Sequence, residues 1–142
     1  MNGQILLADF AQTSEGKVSA LGLGWTITGT PTPPMAVILL IDIPWDKTNK
    51  KHKVTLALLD ADGHPVVVGQ DANTGKPQHI QFNADVEAGR PAGIPEGTEQ
   101  RTSTAIAIGP GIPLTAGQAY EWRLEIDGEH KELWSARFLV RP

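Results

Sequence analysis

The stretch AYEWRLEI at Ala119 to Ile126, the dipeptide Asp127-Gly128, and the returning run LWSARFLV at Leu133 to Val140 together decide the fold. In the first run Tyr120, Trp122, Leu124 and Ile126 point one way while Glu121, Arg123 and Glu125 point the other, the period of two that marks a half-buried strand. Asp-Gly is the pair best able to take the positive φ angles of a tight hairpin turn. In the return run Trp134, Ala136, Phe138 and Val140 alternate against Ser135 and Arg137. The pattern predicts an antiparallel hairpin, with Glu129 to Glu132 available to lengthen its turn.

Working outward, Val54 to Leu58 alternates in the same way. It runs into the turn signal Asp60-Ala61-Asp62-Gly63 and then the β-branched run Val66 to Val68, which predicts a second hairpin. Met35 to Ile43 is almost wholly apolar and reads as a central strand covered on both faces. Further strands are expected at Gln4 to Phe10, Lys17 to Leu23, Trp25 to Thr28, Ile80 to Val86 and Thr102 to Ile108, with Glu15-Gly16 turning the first hairpin. The 15 Gly and 11 Pro are spread throughout and leave little room for a helix. The expected fold is all-β, an antiparallel immunoglobulin-like or C2-like β-sandwich of about 8–9 strands in one domain over residues 1–142, with a closed barrel as the alternative.

Cysteine is absent, which removes disulfide scaffolds, thiol nucleophiles and cysteine metal sites. A net charge of -4 makes no electrostatic case for general nucleic-acid binding. MNGQILLADFAQ has neither the basic flank nor the apolar length of a secretory signal, so a cytoplasmic chain is expected. The longest apolar run, Met35 to Ile41, falls far short of the ~20 residues a membrane helix needs. Ser14, Ser19 and Ser103 stand in no nucleophile motif, and His52, His64, His79 and His130 are isolated in polar or turn settings. Neither a catalytic residue nor a metal, cofactor or small-molecule substrate is expected. The Asp60-Ala61-Asp62-Gly63 run resembles the start of a calcium loop, but its glycine comes too early; a hairpin turn explains it better, with calcium at the loops of a C2-like sandwich as the alternative.

Two segments stand out as partner-binding candidates. WDKTNKKHK carries Lys47, Lys50, Lys51 and Lys53 around His52, the only dense basic cluster; it is either a solvated loop or a contact for an acidic protein surface or phosphates. EAGRPAGIPEGTE, Glu87 to Glu99, is too long for an ordinary connection and is either a crossover between sheets or a binding arm, with Ile94 as an apolar anchor between Arg90 and Glu96. Gly69 to His79 reads as a polar surface loop. Trp122 and Trp134 are expected in the core, Trp25 and Trp45 at its edges.

As a set, LLADFAQ at Leu6 to Gln12, GLGW at Gly22 to Trp25, IPW at Ile43 to Trp45, VEAGRPAGIPEGT at Val86 to Thr98, YEWRLEIDGE at Tyr120 to Glu129 and the closing FLVRP resemble an uncharacterised β-sandwich family of actinobacteria and their tailed phages. The resemblance runs nearly end to end, with Leu23 inside what is usually a glycine pair. It implies no catalytic residues. It implies a non-enzymatic structural protein, a phage minor capsid or decoration protein located on the virion and bound in many copies to a capsid or another protein assembly. A cellular β-sandwich module binding a ligand or protein is the alternative, and an enzyme the third.

Overall fold

The structure, a computed structural model, describes residues 1–142. Strand accounts for 53% of them and no α-helix forms, as the Gly and Pro punctuation requires. Twelve strands follow in order: β1 (Asn2–Ala8), β2 (Phe10–Ser14), β3 (Lys17–Leu21), β4 (Ile27–Thr28), β5 (Met35–Ile43), β6 (His52–Asp60), β7 (Val67–Gln70), β8 (Pro77–His79), β9 (Gln81–Val86), β10 (Gln100–Ile108), β11 (Ala119–Ile126) and β12 (Ser135–Val140). A single 3-10 turn, Trp45–Lys47, lies between β5 and β6.

One sheet has the order β1-β5-β10 and the other β4-β12-β11-β6-β9. With β1, β5, β6, β9, β10, β11 and β12 taken as strands A, B, C, C′, E, F and G, this is the immunoglobulin pattern, in which A, B and E share one sheet and G, F, C and C′ the other. A tyrosine corner accompanies it: Tyr120, at the start of β11, accepts at its hydroxyl the Thr115 N–H at 2.8 Å. The short β4 pairs parallel to β12 through Ile27 and Thr28, the single exception to antiparallel pairing.

The inner faces supply one core of 22 buried residues, among them Val37, Leu39 and Ile41 from β5, Leu56 and Leu58 from β6, and Trp122 and Leu124 from β11. Trp134 and Phe138 complete it from the last hairpin. The continuous apolar run of β5 has its reason on the other face. There Ala36 and Ile38, with Ala8, are covered by Ala11, Val18 and Ala20 of the β2–β3 hairpin, which folds over the outside of the sheet.

Four expectations need correction, the first two because the pairing partners are remote in sequence and the last two because of local turns. The strand expected at Gln4 to Phe10 breaks at Asp9; β1 pairs with β5, and the Glu15-Gly16 turn, both residues at positive φ, joins β2 to β3 instead. The Asp60 turn returns the chain for only an isolated bridge, Leu59 to Pro65, because β6 is already flanked by β11 and β9. Gly69 to His79 is largely a small hairpin, β7 with β8, its turn capped by Asp71 accepting the N–H groups of Asn73 and Thr74. Leu133 lies outside the final strand and is 85% exposed, since it sits in a turn closed by the Trp134 N–H donating to the Lys131 carbonyl at 2.8 Å before β12 begins. The strands β2 and β8 have no counterpart among those expected, and the count is twelve where about 8–9 were expected.

Candidate protein-docking surface

The two candidate segments meet at one end of the sandwich. After Ile43 and Pro44, the Trp45–Lys47 turn is closed by Thr48, whose hydroxyl donates to the Trp45 carbonyl at 2.7 Å. Arg90 then bridges across from the other segment: its Nε donates to Thr48 Oγ1 at 2.6 Å, its terminal nitrogen donates to the Trp45 carbonyl at 2.7 Å, and its guanidinium lies 4.2 Å from the centre of the Trp45 ring. A planar guanidinium can make the two hydrogen bonds and stack at once, which an ammonium cannot. Asn49, at positive φ, adds a backbone hydrogen bond to the Ala88 carbonyl at 2.7 Å. Arg90, expected as a partner contact, is therefore spent on holding the two loops together.

His52 secures the same loop from beneath. It is buried, one ring nitrogen 2.7 Å from Asp127 Oδ2 and the other 2.8 Å from the Lys47 carbonyl. Asp127 also accepts the Lys53 N–H at 2.9 Å. The hydrogen bond from His52 is the leading cause that holds the Asp127 carboxyl below the usual carboxylate range, aided by the Lys53 N–H. An imidazole engaged on both sides clamps the loop to the β11–β12 turn. The reading of His52 as an isolated surface histidine is corrected on this point.

Above this frame Lys47, Lys50, Lys51 and Lys53 are all exposed, and none makes an ion pair within the chain. The Glu87 to Glu99 segment joins β9 of one sheet to β10 of the other, so it is a crossover in topology. Its middle is two successive turns of one design: Ile94 N–H to the Pro91 carbonyl at 3.3 Å and Thr98 N–H to the Pro95 carbonyl at 3.2 Å, with Gly93 and Gly97 at positive φ. That tandem Pro-x-Gly arrangement was legible as PAGI followed by PEGT. It leaves Glu96 exposed and Ile94 37% exposed on the crossover.

Elsewhere, ligand atoms of Asp60, Asp62 and His64 fall within 4.8 Å of one another, which adds His64 to the two aspartates that the sequence singled out. Asp60 Oδ1 accepts the N–H groups of Asp62 and His64 at 2.9 Å each, so the turn itself accounts for the placement of that carboxylate.

Comparison with the curated proteins and with the solved structures gives no match. One family model covers residues 4–141, the whole sandwich with both loops, and the chain thus belongs to that family of unknown function (DUF6941).

Proposed function

We propose that the protein is a non-enzymatic structural protein that binds a large protein assembly in many copies, as a minor capsid or decoration protein on a tailed phage virion. The observation that carries this reading is the joint surface of the two loops. Four unpaired lysines lie on a loop already fastened by Arg90, His52 and Asn49, and Ile94 is exposed on the crossover that Arg90 ties to it, so little conformational freedom is lost on docking. The lysines supply attraction to an acidic neighbour, and repetition on a symmetric shell lets each contact be weak. The resemblance of the chain's motifs to the actinobacterial and phage β-sandwich family supports the phage setting.

The test uses two variants, one with Lys47, Lys50, Lys51 and Lys53 all changed to Gln and one with Gly89 to Gly97 shortened. Each is mixed with particles lacking the protein. The lysine variant is expected to lose occupancy at low salt and to lack the wild type's decline between about 50 and about 500 mM salt, where the screening length shrinks several-fold. Wild-type occupancy by both folded variants would remove this surface from consideration. A wild type that never associates with particles, yet binds one protein or small molecule as a soluble monomer, would favour the cellular binding module.

A further inference from the structure

The open edge of β1 carries a second interaction surface, on the opposite side of the first sheet from β10. Three backbone contacts show how this strand is oriented. The Leu7 carbonyl accepts the Gly24 N–H at 2.7 Å, the Asp9 N–H donates to the Leu21 carbonyl at 3.0 Å, and the Met1 carbonyl accepts Lys131 Nζ at 2.8 Å. All three belong to odd-numbered residues, and backbone groups alternate sides along a strand, so the odd residues face away from β5 while the even ones complete the ladder with it. Between the two capped ends, the N–H and C=O of Gly3 and Ile5 and the N–H of Leu7 have no strand beside them.

This stretch lies in a groove. A cavity of about 700 Å³ runs along Asn2 to Leu6, opposite Lys131 to Trp134, and a second of about 210 Å³ continues it past Leu7 toward Ala136 and Arg137; Ile5 and Leu6 line both. Gly3 permits the close approach of the far wall, since a Cβ there would meet Leu124 Cδ2 at 2.9 Å and Trp134 Nε1 at 3.5 Å. The groove holds two exposed apolar side chains, Leu133 at 85% and Leu6 at 37%. Its charges differ between the ends: Lys131, Glu132 and Asp42 line one end together, while Arg137 lies at the other with no hydrogen-bond or ion-pair partner in the chain.

We propose that this edge takes an extended peptide segment of another protein by strand addition, its backbone pairing with Gly3, Ile5 and Leu7, an acidic side chain meeting Arg137 and apolar ones meeting Leu133 and Leu6. Alternating unpaired donors and acceptors at strand spacing are matched only by another extended backbone. The unpaired charge at Arg137 selects an acidic residue at that end, whereas Lys131 and Glu132 offset each other at the other. A second copy of β1 would bring the same two flanking walls with it, so a slender single segment fits better. The inference does not depend on the phage reading, because it concerns a different face from the lysine loop.

The probes are blocked pentapeptides of alternating Val and Thr with one Glu at either end, and the readout is amide hydrogen exchange of the intact protein. In the free protein Gln4 and Leu6 should exchange slowly, and Gly3, Ile5 and Leu7 at least about tenfold faster. At about 1 mM probe those three amides should slow several-fold. The same probe N-methylated at alternate residues should have no effect, and Arg137→Gln should weaken the Glu-bearing probe about fivefold but leave a Gln-bearing one unchanged. Slow exchange of Gly3, Ile5 and Leu7 in the free protein, failure of every pentapeptide to slow them, or equal action of the N-methylated probe would overturn the proposal. So would protection that tracks protein concentration with formation of a dimer, which would make a second copy the occupant.

Discussion

Trp122 shows what one residue contributes and how well it could be read. Its alternation with Glu121 and Arg123 assigned it inward, and it is fully buried between the sheets, within 6.5 Å of the Phe82 ring. Its indole Nε1 has no hydrogen-bond partner in the chain, so its contribution comes from volume and apolar area. Trp122→Ala should cost ~3–5 kcal/mol in urea denaturation, the cavity adding to the lost transfer energy. Trp122→Phe should cost distinctly less, since it also removes the unpaired N–H. A loss below about 1 kcal/mol for the alanine variant would show that the face assignment is wrong. His52 marks the opposite limit. Its partner, Asp127, lies 75 positions away, so only the pairing of β6 with β11 brings them together.

The same contact makes a pH prediction. Because the Asp127 carboxyl is held below its ordinary value in the fold, its contribution is fully present above the ordinary carboxylate range, near pH 4, and is lost as pH falls through the lower folded value. Asp127→Asn should lower the melting temperature slightly at pH 7, and the gap from wild type should close in acid. The effect is small because the Asp127 side chain is 48% exposed. A gap that widens as the solution is acidified would contradict the assignment.

At the scale of elements, local alternation was sufficient wherever a strand has one wet face, as in β6 and β11. It was insufficient for Met35–Ile43, where periodicity could not separate a buried strand from a buried helix and the covering hairpin supplies the reason. The crossover between β9 and β10 was recognised by length, but its fastening by Arg90 was not. Nothing in EAGRPAGIPEGTE signals that its arginine stacks on a tryptophan 45 positions earlier. Arg90→Ala should therefore speed exchange of the Asn49 amide several-fold while lowering the melting temperature only modestly, as expected when a surface loop is released from an intact core. Arg90→Lys should restore little of the protection, since a lysine cannot reproduce the two hydrogen bonds and the stack together. Full rescue by lysine would show that charge alone fastens the loop. Gly22→Ala tests the first hairpin more severely: the residue is at positive φ and its new methyl would run into the Asp9 carboxylate. It should cost more than about 1 kcal/mol in the same denaturation assay.

For the molecule as a whole, strand content and the sandwich were legible, and sheet order was not. Each alternating run specifies which face is apolar but carries no mark of the remote strand it will pair with; β6 found β11 and β9 in place of the nearer β7. The candidate surface was half legible for the same reason. Lys47, Lys50, Lys51 and Lys53 form a cluster in the sequence itself, whereas their position beside the crossover depends on both ends of β6 and β9 being placed. The proposed role puts the repeated contact at the end of the sandwich where the lysine loop and the crossover meet. Quantitative mass spectrometry of gradient-purified virions, from a phage that encodes the chain, tests that role most directly. The protein should band with the particles in many copies per capsid and be released progressively as salt is raised. Intact virions free of it, with the protein recovered only as a soluble 15.2 kDa species, would contradict the role.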